Sequence, residues 1–318
     1  MSEVLDRATD APAKLRIIDS DIHPSLRSEK DLNPFLSARW RQHIAEYGKL
    51  SHRPYVGRNT YPRFMPNTAR RDAWPPGGVP GSDLDFMRMQ LLDRYDIEIG
   101  ILEPLMDSNL VRNGELAQAL CSAINDWQVD AFTSREKRLR ASIQVPFEDA
   151  DLAVAEIAKR AGDPNFAQIQ LTSRSTEPIG RRRYWPIFEA AAHYGLPIGM
   201  HIGGEAGHGP TVSGWPSFYL EDHHGLIHSM QCQVTSMILE GVFERFPGLK
   251  IICIEGGFAW APTLAWRMDR HWAKMRSEVP HLTMPPSAYM RRNIWFSTQP
   301  MEEPENPEDL RRTLGWIG

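Results

Sequence analysis

A TIM-type (β/α)8 barrel is the α/β fold class that the sequence predicts, with only seven strands evident and the eighth missing at the C-terminus. Three observations predict it. Short apolar, β-branched runs alternate with stretches of helical spacing along most of the chain, as when strands of a parallel sheet are joined by helices outside it. Several of these runs end in acids or histidines followed by glycines, the kind of rim that builds a site at the C-terminal ends of barrel strands. The Gly-rich phosphate-binding fingerprint of the rival doubly wound sheet is absent after the first strand.

The first run, Arg16-Ile17-Ile18-Asp19-Ser20-Asp21-Ile22-His23-Pro24, reads as a buried strand that ends abruptly in charge. Residues 31–47 have helical spacing, and residues 48–82 then form a long loop insertion rich in Arg, Pro, Gly and aromatics. Its Arg53, Arg58, Arg63, Arg70 and Arg71 could meet a substrate carboxylate, or simply be solvated or lie at a subunit contact. Helical patterns follow at 83–95, 114–136, 149–161, 183–194, 225–246 and 258–275, with a last one at 307–314. Strands are expected between them at 97–104, 139–146, 166–171, 196–201, 249–255 and 293–298. Residues 1–15 are expected to form a flexible N-terminal segment, and residues 16–318 the barrel.

Composition narrows the function classes. At 318 residues, 42% hydrophobic and 24% charged, the chain can bury a large core. A net charge of -4 gives no electrostatic reason to expect nucleic acid or an anionic membrane as a partner. Neither a secretory leader nor an apolar run long enough to span a bilayer is present, so a cytoplasmic location is expected. Cys121, Cys232 and Cys253 are far apart in apolar surroundings and read as reduced core residues.

The strand ends carry the chemistry. Alternation on an extended chain sends Asp19, Asp21 and His23 to one side, which makes Asp-x-His a metal-site candidate; a buried strand with a solvated turn explains the same residues. The fifth strand ends at His201-Ile202-Gly203-Gly204 and the sixth at Glu255-Gly256-Gly257. His201 alone is often a satisfied core histidine, and Glu255 alone a helix-capping acid. Three such ends on one rim shift the balance toward an active site. Glu103-Pro104 either lines the pocket or caps its strand, and residues 205–222, with His208, Trp215, Phe218 and Tyr219, either wall it or form a surface loop. His223, His224 and His228 lack the Glu of a His-Glu-x-x-His motif and read as mostly structural.

The Asp19 to Pro24 opening resembles the amidohydrolase-related family (amidohydrolase 2) of the aminocarboxymuconate-semialdehyde decarboxylase type. So do Tyr184-Trp185-Pro186-Ile187-Phe188-Glu189-Ala190-Ala191 with its run into His201, Gly241-Val242-Phe243-Glu244-Arg245-Phe246-Pro247, and Glu255-Gly256-Gly257. The resemblance implies a metal-dependent barrel enzyme, with Asp21, His23 and His201 as metal ligands and Asp19 in a supporting place. It implies a divalent cation, Zn²⁺ first, with Mn²⁺ a second choice because Asp21 stands where the decarboxylase has a histidine. Glu255 stands where that enzyme has a histidine near the bound water, and Glu255 and His201 are the expected catalytic residues. The family's last ligand, an aspartate ending the eighth strand, has no counterpart here.

The expected function is non-oxidative decarboxylation of a small aromatic or ring-cleavage carboxylate by a homodimer. Hydrolysis of a C–N, C–O or C–C bond, with Glu255 as base, is the alternative. The absent eighth strand adds a third expectation, that the chain is a truncated form that binds metal weakly and serves as a binding or assembly subunit.

Overall fold

Strands and helices alternate as the hydropathy pattern requires. The computed structural model describes residues 15–49, 69–204, 208–209 and 211–318. The expected N-terminal segment falls almost entirely outside them, as do residues 50–68 of the loop insertion with Arg53, Arg58 and Arg63. Seven strands, β1 (Ile17–Ile22), β2 (Ile97–Leu102), β3 (Leu139–Gln144), β4 (Phe166–Thr172), β5 (Ile198–His201), β6 (Ile251–Ile254) and β7 (Ile294–Phe296), form one sheet in chain order. Every neighbouring pair is parallel. The described residues contain no eighth strand, so β1 and β7 remain edges.

The helices are α1 (Ala38–Tyr47), α2 (Leu84–Met87), α3 (Gly114–Gln128), α4 (Ala150–Arg160), α5 (Trp185–Tyr194), α6 (Tyr219–Leu239), α7 (Val242–Arg245), α8 (Trp260–Lys274), α9 (Pro286–Asn293) and α10 (Pro307–Ile317). Side-chain caps fix several starts: Ser37 accepts from the Trp40 amide, Asn113 from Leu116 and Asp149 from Leu152. The helix expected at 31–47 is divided, because Ser37 begins a new helix after a 3-10 turn at Glu29–Phe35 that contains Pro34. The helix expected at 225–246 starts earlier, at Tyr219, and stops before Gly241, whose φ of 82° ends it. Tyr219 to Asp222 are therefore helical rather than part of a loop. Helix α9 is an addition to the expected set: its buried face includes Ser287 and Asn293, so hydropathy does not mark it. No helix among the described residues is long and apolar enough to cross a membrane.

Two apolar clusters hold the layers together. One joins β1 to β3 with α1 and α3, through Ile22, Trp40, Leu102, Leu120 and Ile124. The other joins β3 through β7 with α4 to α9, through Ile143, Ile169, Phe188, Met200, Phe243 and Cys253. Each buried aliphatic or aromatic side chain there contributes about 1.5–3 kcal/mol. Edge position changes the expectation for β1. Ile17 and Ile18 are exposed, Ile18 at 65%, because β1 has a partner strand on only one side. Cys121 and Cys253 are buried, whereas Cys232 is exposed on α6, contrary to the core reading.

Ion pairs fasten α2 and its extension at Arg88–Asp93 to the start of β3. Glu136 accepts from Arg138 Nε at 3.0 Å and from Arg88 Nε at 2.9 Å, and Arg138 also reaches Asp93 at 2.8 Å. The Arg138 contact, reinforced by Arg88 against partial burial, lowers the Glu136 carboxyl to about 2. A carboxyl depressed in the folded state contributes stability above its unfolded pKa and loses it as pH falls from about 4.5 towards 2. Glu136→Gln is therefore expected to lower stability by about 1–2 kcal/mol at pH 7, after allowance for solvent screening. The gap between thermal melts of the two proteins should narrow as pH falls below about 4.5 and close only below about pH 2, and a gap independent of pH would contradict the ion-pair account.

Candidate metal centre

Asp21 lies near the end of β1, His23 just beyond it, His201 closes β5, and Glu255 is the first residue past β6. Asp21 and Glu255 thus belong to strands five places apart, about 24 Å in a flat sheet at 4.8 Å per strand. Yet the donor atoms of Asp21, His23, His201 and Glu255 all lie within 4.8 Å of one another. Curling of the sheet brings them together.

The individual contacts describe a cluster aimed at a common point. His201 Nε2 is 2.9 Å from Glu255 Oε2 and 3.4 Å from Asp21 Oδ1, while His23 Nε2 is 3.3 Å from Asp21 Oδ1 and 3.8 Å from Glu255 Oε2. The two imidazoles meet edge to face with centroids 5.1 Å apart. Each has its other nitrogen occupied: His23 Nδ1 pairs with the Glu103 carbonyl at 2.9 Å and His201 Nδ1 with the Ile202 carbonyl at 2.6 Å. Since a carbonyl only accepts, both Nδ1 atoms donate, which frees both Nε2 lone pairs for the cluster. Asp21 Oδ1 and His201 Nε2 are buried and make no hydrogen bond. Buried polar atoms without partners are costly, so two of them facing one space fit a ligand that satisfies both.

Electrostatics agree with that reading. Burial opposes a charge on His201, but the Asp21 and Glu255 carboxylates outweigh it and raise its pKa to about 10. Burial likewise opposes a charge on His23, and Glu255 and Asp21 again override it in the upward direction. The same imidazoles outweigh burial at Glu255 and hold its carboxyl far below the usual range. The site therefore favours positive charge strongly. Two carboxylates and two imidazoles match the donor chemistry of a divalent transition ion. Asp19 is not one of the four donors; its Oδ1 accepts from the Asp21 amide at 3.1 Å and steadies the strand end.

Beneath the cluster the inner face of the sheet is polar. Glu103 is fully buried, accepts from Ser142 Oγ at 2.8 Å and from Gln168 Nε2, and leaves Oε2 without a hydrogen bond. Burial pushes its carboxyl up to about 8, so it is mostly protonated at neutral pH. Its carbonyl orients His23, which makes Glu103 part of the site's support rather than only a strand end.

Other sequence candidates lie elsewhere. Arg70 pairs with Asp72 at 2.7 Å and with Tyr95. His208 lines a cavity of about 500 Å³ between the segment that follows β4 and helix α6, with Arg174, Ser229 and Gln233, and none of the four donors lines it. Trp215 and Phe218 are exposed. His223, His224 and His228 sit on α6 and do not join the donor group. Sequence reading misses Ser297, whose hydroxyl accepts from the Glu255 amide at 3.0 Å, and Glu302. Ser297 falls inside the strand expected at 293–298 but carries no motif, and Glu302 lies in no periodic or motif-like context.

A curled, seven-stranded parallel sheet with His and carboxylate donors at its C-terminal rim defines an open (β/α)-barrel type of fold with a candidate metal site. The family described as amidohydrolase matches residues 18–318, and the chain belongs to that family. It is 24% identical over 181 residues to 2-amino-3-carboxymuconate-6-semialdehyde decarboxylase of Dictyostelium discoideum. That match covers 56% of this chain and 49% of the relative, so it spans about half of the relative's length. An amidohydrolase from Mycobacterium avium subsp. paratuberculosis K-10 superimposes with a TM-score of 0.70 at 19% identity, covering 94% of this chain and 87% of that one. For 5-carboxyvanillate decarboxylase from Sphingomonas paucimobilis the values are 0.67, 18%, 96% and 86%. A dihydroxybenzoic acid decarboxylase from Polaromonas sp. JS666, solved with manganese and 2-nitroresorcinol, gives 0.64, 18%, 95% and 83%. At these identities the structural likeness establishes the fold.

Proposed function

We propose that the chain is a divalent-metal-dependent, non-oxidative decarboxylase of a small aromatic or ring-cleavage carboxylate. The observation that carries the proposal is the convergence of Asp21, His23, His201 and Glu255 with two buried donor atoms left without hydrogen bonds. Decarboxylase relatives at low identity support the reaction class. Asp21, His23 and His201 would hold the ion, with Glu255 closing the set. When bound, the ion would polarise a substrate carboxylate or carbonyl and lower the pKa of water. The donor set favours Zn²⁺, and its two carboxylates also suit Mn²⁺.

Loss of CO₂ leaves an electron pair on carbon that a proton must fill. Glu255, at 24% side-chain exposure, is more open to solvent than Asp21 at 10%, and serves as the carrier of that proton. His201 fixes the carboxylate, and its Nδ1 bond to Ile202 fixes His201 in turn. One observation favours the hydrolytic alternative: Glu255 is held ionised, which makes it a ready acceptor for a proton from water. A single-barrel organisation over residues 16–318, a homodimer and a cytoplasmic location belong to the same proposal; sedimentation tests the assembly.

The decisive experiment reconstitutes the protein with Zn²⁺ or Mn²⁺ and screens aromatic and muconate-type carboxylates. About one ion per chain and released CO₂ are expected. A hydrolytic fragment without CO₂ would transfer the reading to hydrolysis, and no metal uptake at all would favour a binding subunit.

A further inference from the structure

Glu255 has a φ of 56°, in the left-handed region that residues with a side chain rarely occupy. Such a residue breaks the two-residue alternation of β6 and turns the chain sharply, so the direction of its side chain depends on what anchors the turn. The anchors come from the segment after β7. Ser297 Oγ accepts from the Glu255 amide at 3.0 Å, and the Ser297 amide donates to the Cys253 carbonyl at 2.9 Å, so from the β7 side this serine bonds the chain just before and just after Ile254. Glu302 Oε2 accepts from the Phe258 amide at 3.1 Å and the Ala259 amide at 2.9 Å, pinning the far end of the turn where α8 begins. Between these points, Gly257 has a φ of 64°, and a Cβ there would stand 2.5 Å from Glu302 Oε1. The Glu302 carboxylate thus lies directly against the backbone at Gly257, two residues after Glu255.

We infer that Ser297 and Glu302 are positioning residues that hold the Glu255 backbone in its left-handed turn and thereby aim its carboxylate at the donor cluster. The inference rests on the metal-centre reading above, because the carboxylate so aimed is one of the four donors. A simple helix cap for α8 would need the two amide contacts but neither the paired Ser297 bonds nor a strained residue held three positions before Phe258. Both amides converge on one oxygen of Glu302, so an amide carbonyl can replace the carboxylate.

Two measurements on the full chain test this. The first is Zn²⁺ affinity by chelator competition, on the wild type, Glu302→Ala, Glu302→Gln, Glu255→Gln and the double variant Glu255→Gln with Glu302→Ala. Glu302→Ala is expected to weaken binding about tenfold, the scale for a supporting residue, and Glu302→Gln to recover most of it. The double variant should bind no more weakly than Glu255→Gln alone, because Glu302 acts through Glu255. Wild-type affinity in Glu302→Ala, or additive losses in the double variant, would overturn the inference while leaving the metal centre standing.

The second measurement needs no metal. In chelator, Glu255→Gly should melt about 1–2 °C above Glu255→Ala, since both lose the carboxylate and only glycine accepts the left-handed backbone freely. That gap should shrink in a Glu302→Ala background, where the turn is free to relax. An equal gap in both backgrounds would refute the positioning role even for a chain that takes up no Zn²⁺, an outcome that would separately refute the metal reading.

Discussion

His201→Ala is expected to weaken divalent-metal binding at least about 100-fold, about 3 kcal/mol, and to reduce turnover accordingly. Its Nε2 is the most deeply enclosed imidazole donor, on a side chain only 3% exposed, and it lies within 3.4 Å of both carboxylate donors. Removing it takes away one donor and leaves Asp21 and Glu255 facing each other across a small cavity. Loss of stability adds to the defect, because the two acids lose one of the two imidazoles that offset their charge and keep only His23. Isothermal titration with Zn²⁺ or Mn²⁺ and metal analysis after dialysis check the first effect, and chemical denaturation checks the second. Undiminished metal content in His201→Ala would remove this residue from the centre.

Glu255→Gly and Glu255→Ala form the second informative pair. Both should lose activity by at least about 100-fold if Glu255 carries the proton. Ordinarily glycine is the less stable replacement, because it leaves more backbone freedom in the unfolded chain. At φ 56° the order should reverse, with the glycine variant more stable by about 1 kcal/mol, since alanine retains the left-handed penalty. Denaturant midpoints at fixed slope measure the difference. If alanine is the more stable replacement, the left-handed turn carries no strain, and stored strain at the rim has no part in the site. Strain retained beside reacting groups is a common exchange of stability for geometry.

Much of the fold was legible in the sequence because its signals are local. Residues 97–102, 139–144 and 166–172 announce strands through apolar runs, and the capping residues Asn113 and Asp149 mark helix starts. The Asp-x-His end of β1, the histidine ending β5 and the Glu-Gly-Gly after β6 were also legible, since each is a short polar interruption of an apolar run. Pairing β1 with only one neighbour was not: exposure of Ile17 and Ile18 depends on which strands flank them, and the residues themselves suggest burial. Helix α9 was missed because a buried face containing Ser287 and Asn293 satisfies its polar atoms through tertiary partners such as Asp269, Pro247 and Leu249.

The sequence by itself determined the alternation of strands and helices, the chemical types available at the rim and the family resemblance. Only the tertiary structure decided that donors from β1, β5 and the turn after β6 lie within 4.8 Å of one another, because sheet curl sums small rotations over many strands. It alone decided that both imidazoles bond carbonyls through Nδ1 and that Glu103 lies fully buried beneath them. Glu302, forty-seven residues after Glu255, reaches its turn only because β7 pairs with β6. Local preferences reach a few residues along the chain, whereas a converging site is a property of distances through space.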